Sequence, residues 1–165
     1  MATNSDIARV IHALIFAVHA QRHQRRKDEA KTPYINHPVA LVHILAVEAG
    51  VDDADVLSAA ALHDFIEGCC GPGKEWSLDE GSALLRERFG PQVLAYVDAV
   101  TDDKTLPKAE RKRLQMELAA HVPHGAKLVK RADKIANLRD IATTPPVSSS
   151  TASPSSRSVI LRCMD

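Results

Sequence analysis

The chain has 165 residues, 45% of them hydrophobic and 25% charged, which suits one globular domain and excludes a multidomain assembly. Lys and Arg number 21, as do Asp and Glu, so the formal net charge is zero. This balance disfavours a nucleic-acid or membrane-surface binder driven by overall charge. The three cysteines form no even disulfide framework, and the N-terminus resembles neither a signal peptide nor a membrane span. We therefore expect a cytoplasmic protein.

The first predicted helix follows the capping candidates Asn4, Ser5 and Asp6 and ends in a basic loop over residues 22–33. Apolar residues recur at spacings of three and four along the chain, aromatic residues make up only 4%, and alternating strand patterns are absent. In this helix the repeat places apolar side chains on one stripe, which consists of Ile7, Ile11, Leu14 and Val18. The pattern predicts an all-α fold.

Two further helices are predicted before residue 70. Pro38 suits the first position of the second helix, and Gly50 suits its stop. Asp52 or Asp53 caps the third helix, which we expect to continue to Glu67 and to end at Gly68.

The remaining helices have clear start and stop signals. Ser77 and Glu80 form a capping-box pattern for the fourth helix, Gly90 closes it, and Pro91 opens the fifth. The sixth and seventh helices are predicted over residues 107–121 and 125–141. Ser, Thr and Pro supply 13 of the 17 residues from 142 to 158, so we predict a folded domain over residues 1–141 and a disordered tail over 142–165.

Three of the predicted helices carry side chains that commonly bind metals. His37 begins the second, His63 and Asp64 lie late in the third, and Asp133 lies in the seventh. Two imidazoles and two carboxylates suit Mn²⁺, Fe²⁺ or Zn²⁺ and leave open positions where water can be activated. The set predicts a hydrolytic metal site.

Each of these residues also has a simpler interpretation. His63 and Asp64 could be a polar pair at a helix end, Asp133 could pair with a neighbouring lysine of its own helix, and His37 could simply precede Pro38. However, the alanine-rich segment 59–62 indicates a helix that is buried nearly all round, where the charge of Asp64 requires a partner.

Five ordered motifs resemble RelA/SpoT-type HD-domain hydrolases, and among them the small alarmone hydrolases of metazoans. The resemblance covers roughly residues 5–141. The motifs occupy residues 25–28 (RRKD), 32–38 (TPYINHP), 61–64 (ALHD), 100–107 (VTDDKTLP) and 125–140, which includes ADKIANLRD.

The resemblance implies a compact helical bundle around Mn²⁺ that removes pyrophosphate from the 3′ position of guanosine tetraphosphate (ppGpp), and it associates the metazoan branch with NADPH phosphatase activity. Zn²⁺ and Fe²⁺ remain alternative metals. By motif, the implied metal ligands are His37, His63, Asp64 and Asp133, and Glu67 would orient or deprotonate the attacking water. The implied substrate-binding residues are Arg26, Lys27, Tyr34, Lys104 and Asn137.

Two departures from the family pattern affect the expected function. The motif H-D-x-x-E-D has Gly68 at its last position, so one carboxylate near the water is missing and activity is expected to be reduced. The family's closing helices are replaced by the Ser/Thr/Pro-rich segment, which is expected to leave apolar surface on the first, fifth and seventh helices uncovered.

Three classes of function follow from these features. The first is an enzyme acting on a small nucleotide. The second is a catalytically impaired form that keeps metal or nucleotide binding and acts as a regulator. The third, a nucleic-acid-binding module, is disfavoured because the net charge is zero and no aromatic platform accompanies the basic residues.

Overall fold

The computed structural model describes residues 4–28, 30–102, 105–118 and 121–143, and these residues form helices joined by turns and loops. A π-helical turn, Ile44–Glu48, directly continues the second helix. Within the described residues, strand-like pairing is limited to the isolated bridges Arg25–Pro33 and Cys70–Trp76, so the all-α prediction is confirmed. The helices are α1 (Asn4–Ala20), α2 (Asn36–His43), α3 (Ala54–Leu62), α4 (Phe65–Cys69), α5 (Leu78–Phe89), α6 (Pro91–Val100), α7 (Lys108–Leu118) and α8 (His124–Thr143).

Helix α3 lies at the centre of the fold. All of its residues except Asp55 are buried, because α1, α2, α6 and α8 pack around it. Ala59, Ala60 and Ala61 have no exposed surface, and their small side chains allow neighbouring helices to approach closely. The alanine-rich segment therefore places the end of α3 in the interior.

Several predicted helix ends are confirmed by their capping contacts. The Ser77 hydroxyl accepts from the backbone N–H of Glu80, whose carboxylate accepts from the Ser77 N–H. The Asp53 carboxylate accepts from the N–H groups that open α3. Gly90 has φ +94°, a conformation that glycine adopts without a Cβ penalty, and it separates α5 from α6.

The prediction for the third helix is wrong in one respect. The helix ends at Leu62, a turn at His63 and Asp64 follows, and α4 then runs to Cys69. Gly68 lies inside α4 and does not have the left-handed backbone of a helix stop. The break accompanies a contact outside the helix, because the Asp64 carboxylate accepts from the hydroxyl of Tyr34.

Other helix ends differ by a few residues. Helix α2 begins at Asn36, two residues before the predicted position. Helix α7 spans residues 108–118 within the predicted 107–121. Helix α8 continues to Thr143 and so includes the first two residues of the predicted tail, while residues 144–165 lie outside the described part of the chain.

The expected apolar surface is present on α1 and α8 but absent from α6. Ala13 and Ala17 lie on the buried face of α1. Most of the apolar stripe of α6 is buried, whereas the sequence predicted that part of it would be uncovered. The apolar side chains that are roughly half exposed include Ile7, Ile11, Ile15 and Val18 on α1 and Leu138 and Ile141 on α8. No helix in the described part is both long and apolar enough to cross a membrane.

Packing between α4 and α5 depends on Gly81. A Cβ added there would overlap Cys70 Sγ and lie 3.2 Å from Ile66 Cδ1. We expect Gly81→Ala to lower the free energy of unfolding by about 1–3 kcal/mol, because overpacking displaces these side chains. Urea unfolding measures the change.

Gly68→Ala is the matched control, because its added Cβ would lie 3.4 Å from the Gln24 amide, at ordinary contact distance. The double variant Cys70→Ala/Gly81→Ala should recover part of the lost stability. Equal stability losses for Gly81→Ala and Gly68→Ala would contradict this account of the packing.

Candidate metal centre

The turn at His63 and Asp64 brings these residues to His37 of α2. Asp64 has φ −96° and ψ 2°, outside helical geometry. One potential ligand atom from each of His37, His63 and Asp64 lies within 4.8 Å of the other two. Three residues from distant parts of the sequence therefore form one cluster, as the sequence predicted.

The imidazole of His63 is held in one orientation by the backbone. Its Nδ1 lies 2.9 Å from the carbonyl oxygen of Ala60, and since a carbonyl only accepts, Nδ1 carries the hydrogen. Nε2 lies 3.0 Å from an Asp64 oxygen and has no hydrogen-bond partner among the described residues, although it is buried. A nitrogen lone pair facing a carboxylate needs a cation between them or a proton, and a carbonyl-held imidazole is the usual form of a metal-binding histidine.

Asp133 of α8 adjoins this three-residue group through His37 and completes a cluster of four side chains. His37 Nε2 lies 3.1 Å from Asp133 Oδ1, and the Asn137 amide donates to the same oxygen over 2.6 Å. His37 Nδ1 is buried without a partner among the described residues. Lys134 lies 3.9 Å from the second Asp133 oxygen, so the lysine contact weighed as an alternative exists but is longer than the contact with His37.

Both carboxylates of the cluster are ionised at neutral pH. Burial raises the pKa of Asp64, but the imidazole of His63, 3.0 Å away, and the donating hydroxyl of Tyr34 outweigh burial and hold that pKa below its ordinary value. Burial likewise opposes ionisation of Asp133, whose pKa is lowered mainly by its bond with His37.

Tyr34 stays protonated and donates its hydroxyl to Asp64 Oδ2. Burial and the neighbouring Asp64 charge raise its pKa well above the ordinary tyrosine value. The hydroxyl thus orients one carboxylate oxygen and leaves the other available to a cation. Two carboxylates and two imidazoles with unpartnered buried nitrogens fit a divalent metal ion.

The cluster opens into a cavity of about 230 Å³ that also contains Glu67. Glu67 lies in α4, one turn beyond His63, and its Oε2 accepts from the backbone N–H of Asp102 over 3.4 Å. This places a carboxylate beside the cluster without making it a member of the three-residue group. The position suits a group that binds a water molecule.

A neighbouring cavity of about 570 Å³ shares Arg26, Tyr34, His37 and Asn137 with the first. Arg26 pairs with Asp140, and its guanidinium lies 5.7 Å from the centre of the Tyr34 ring. The two cavities adjoin beside the metal cluster, because the four shared side chains line both of them. Together they are named the metal-centre space. The larger cavity has a volume in the range of small-molecule sites.

The predicted substrate residues are distributed unevenly in this space. Arg26, Tyr34 and Asn137 line both cavities, and Lys27 lines only the larger one. Lys104 lies outside the described residues.

Sequence reasoning missed Lys130 and Lys134 as cavity residues and considered them only as partners for Asp133. The spacing 130, 133, 134 and 137 places them on one face of α8 with Asp133 and Asn137, a signal that was present in the sequence.

The fold and this cluster agree with a match between residues 13–159 and the family model described as HD domain. The chain belongs to the HD-domain family, whose members are metal-dependent phosphohydrolases.

Within that family, the chain is 51% identical over 142 residues to mouse guanosine-3′,5′-bis(diphosphate) 3′-pyrophosphohydrolase MESH1, covering 86% of this chain and 74% of the mouse protein. The Drosophila melanogaster MESH1 protein is 45% identical over 139 residues, covering 84% and 73%. A solved structure of a metazoan ortholog of SpoT, which hydrolyzes ppGpp and plays a role in starvation responses, superposes with a TM-score of 0.75. It is 41% identical and covers 94% of this chain and 80% of that one. The resemblance seen in the sequence is confirmed.

The cluster predicts a metal-dependent gain in thermal stability. A divalent ion bound by residues of α2, α8 and the α3–α4 junction stabilises the folded state by mass action. With Mn²⁺ about 100-fold above its Kd we expect Tm to rise by roughly 5–10 °C. His63→Ala and Asp133→Ala should each abolish the rise in a calorimetric scan.

His43→Ala is the matched control, because His43 is an exposed histidine of α2 whose removal leaves the cluster intact. A full rise in both cluster variants, or its loss in His43→Ala, would refute the ligand assignment.

Proposed function

We propose that this protein is a Mn²⁺-dependent guanosine-3′,5′-bis(diphosphate) 3′-pyrophosphohydrolase. The observation that carries the proposal is the cluster of His37, His63, Asp64 and Asp133 beside two adjoining cavities whose lining includes basic side chains from the loop before α2 and from α8. Relatives that share about half of its residues carry this activity in their names. The cytoplasmic location stays a prediction.

The four cluster residues are the proposed metal ligands, with His63 held by Ala60 and Asp64 held by Tyr34. Mn²⁺ bound there supplies a Lewis acid for the phosphoryl group and lowers the pKa of bound water. Mixed nitrogen and oxygen ligands also accept Zn²⁺ or Fe²⁺, so comparative metal loading must establish the preference.

Glu67 is the proposed catalytic carboxylate. Its position in the wall of the cavity that holds the metal cluster places a carboxylate where it can orient a water molecule or accept its proton. Helix α4 and the hydrogen bond from the Asp102 N–H fix the position of the Glu67 carboxylate. A water molecule bound to this carboxylate would be held in one orientation relative to the phosphorus atom.

Basic side chains from two separate elements suit a substrate with two separate phosphate groups. Arg26 and Lys27 belong to the loop before α2, whereas Lys130 and Lys134 belong to α8 beside Asp133. One diphosphate of guanosine tetraphosphate would lie at the metal cluster and the other on the loop cations. NADPH, with a pyrophosphate and a 2′-phosphate, satisfies the same requirement and is the alternative substrate. Lys104 remains a predicted contributor.

The alternative of a catalytically impaired regulator depends on Gly68. The structure places its Cα in α4, next to Glu67, and an added Cβ would lie nearest the Gln24 amide, 3.4 Å from Oε1. Phosphate or pyrophosphate release in the presence of Mn²⁺, measured beside nucleotide binding on the same preparation, distinguishes an enzyme from a regulator. Binding without release would overturn the proposed activity.

Restoring the missing carboxylate should increase turnover. Gly68 does not occupy the left-handed region, so Gly68→Asp introduces no backbone strain of that kind. Because positioned proton acceptors contribute about 10²–10⁴-fold to rate, we expect kcat to rise on the order of 10²-fold with the metal affinity nearly unchanged.

Gly68→Asn has the same shape without the charge and serves as the control for packing against Gln24. A folded Gly68→Asp variant that turns over no faster than Gly68→Asn would refute the importance of the missing carboxylate.

Lys27 is expected to act on the remote phosphate. Its side chain is exposed in the larger cavity and does not line the metal cavity. Lys27→Ala should reduce kcat/KM for guanosine tetraphosphate by about tenfold and leave hydrolysis of a small phosphate ester unchanged, since only the remote contact is lost.

Lys74→Ala, which removes an exposed lysine from the loop before α5, is the matched control for overall charge. Equal losses for both substrates, or for both variants, would show that Lys27 is an ordinary surface charge.

A further inference from the structure

A cavity of about 680 Å³ lies between α1, α5 and the loop that precedes α5. It is separate from the pair of cavities at the metal cluster and is named the second cavity. Its lining includes Phe16, Trp76 and Phe89 together with Arg9, Arg22 and Arg88. None of its lining residues belongs to either of the two cavities at the metal cluster. The proposed hydrolytic activity makes no use of this space.

The floor of the second cavity is aromatic. The Phe16 ring centre lies 5.6 Å from that of Phe89 and 6.4 Å from that of Trp76. Phe16 and Trp76 are partly exposed, so their rings are accessible from the cavity. The inner sides of both rings pack against Phe65, which holds the floor against the core. A planar ring can stack on such a surface at little cost in side-chain entropy.

Three arginines border the cavity, and two of them have acidic partners: Arg9 pairs with Asp55, and Arg22 lies 3.7 Å from Glu75. Glu75 is the one acidic residue that lines it, against three arginines and the histidines His12 and His19. Arg88 lies 5.6 Å from the Phe16 ring centre and has no acidic partner among the described residues. A guanidinium that lies over an aromatic ring and keeps its N–H donors unpaired suits recognition of phosphate.

We propose that this second cavity binds a nucleoside phosphate, with the base on Phe16 and Trp76 and the phosphate on Arg88. The volume is within the range of small-molecule sites, and the adjacent apolar and cationic surfaces match the two halves of such a ligand. An apolar helix would leave the Arg88 guanidinium unpaired, and an inorganic anion would leave the aromatic floor uncovered. The combination of ring and phosphate uses both surfaces.

Trp76 is the only tryptophan of the chain, so intrinsic fluorescence reports directly on this cavity. The metal-free full chain is titrated separately with GMP, AMP, guanosine and inorganic pyrophosphate. We expect a saturable change with the nucleotides and at least about tenfold weaker binding of guanosine and pyrophosphate, since each retains only one type of contact. Calorimetry on the same samples measures binding independently of fluorescence.

Arg88→Ala should weaken nucleotide binding by about tenfold or more, the effect of losing one charge-assisted contact. Arg86→Ala removes the same charge from the same helix outside the cavity and should bind like the unmodified chain. Lys27→Ala, altered in the other nucleotide space, should leave the titration unchanged.

Three results would overturn the proposal. These are no saturable signal with either nucleotide, equal weakening by Arg88→Ala and Arg86→Ala, or loss of the signal in Lys27→Ala, which would assign binding to the metal-centre cavity. If Arg88→Ala fails to fold, Arg88→Gln removes the charge and keeps a polar side chain, and unchanged nucleotide binding by that variant would equally refute the role of Arg88.

Discussion

Burial of His63 at the end of α3, with the partly buried Asp64 beside it, is the constraint on which the rest of the structure depends. Helix α3 is surrounded by four other helices, so polar groups at its end have little access to water and need partners inside the protein. The chain turns there, Ala60 accepts from the ring of His63, and Tyr34 donates to Asp64. The loop before α2 and the faces of α2 and α8 are held where they can complete this polar cluster.

The same constraint also explains why the interior of the protein can bind a metal ion. The partners that satisfy the buried groups leave one ring nitrogen of His63 and one of His37 unpaired, and they keep Asp64 ionised. A divalent cation at this position would pair with these nitrogens and with the ionised carboxylate. Metal binding would therefore stabilise the folded state itself. Glu67 enters the cavity because the turn starts a new short helix, α4, whose first turn carries it.

Charge on this protein is organised locally, within a net charge of zero. Carboxylates and basic side chains together line the cavity at the metal cluster, and arginines border the aromatic floor formed with Phe16 and Trp76. Phe65, the residue after Asp64, packs against both of those rings. The two spaces therefore lie on either side of one buried segment, and each has its own lining residues.

The sequence by itself determined the helical class, most helix boundaries and the identity of the clustered residues. Periodicity, the capping box at Ser77 and the glycine at residue 90 act through local backbone physics, which needs no knowledge of neighbouring helices. Only the tertiary structure decided the turn after Leu62, because the partners that draw His63 and Asp64 out of the helical pattern include side chains distant in sequence. Likewise, the aromatic and arginine residues of the second cavity come from α1, α5 and the loops next to them. No local sequence pattern predicts that these segments pack together.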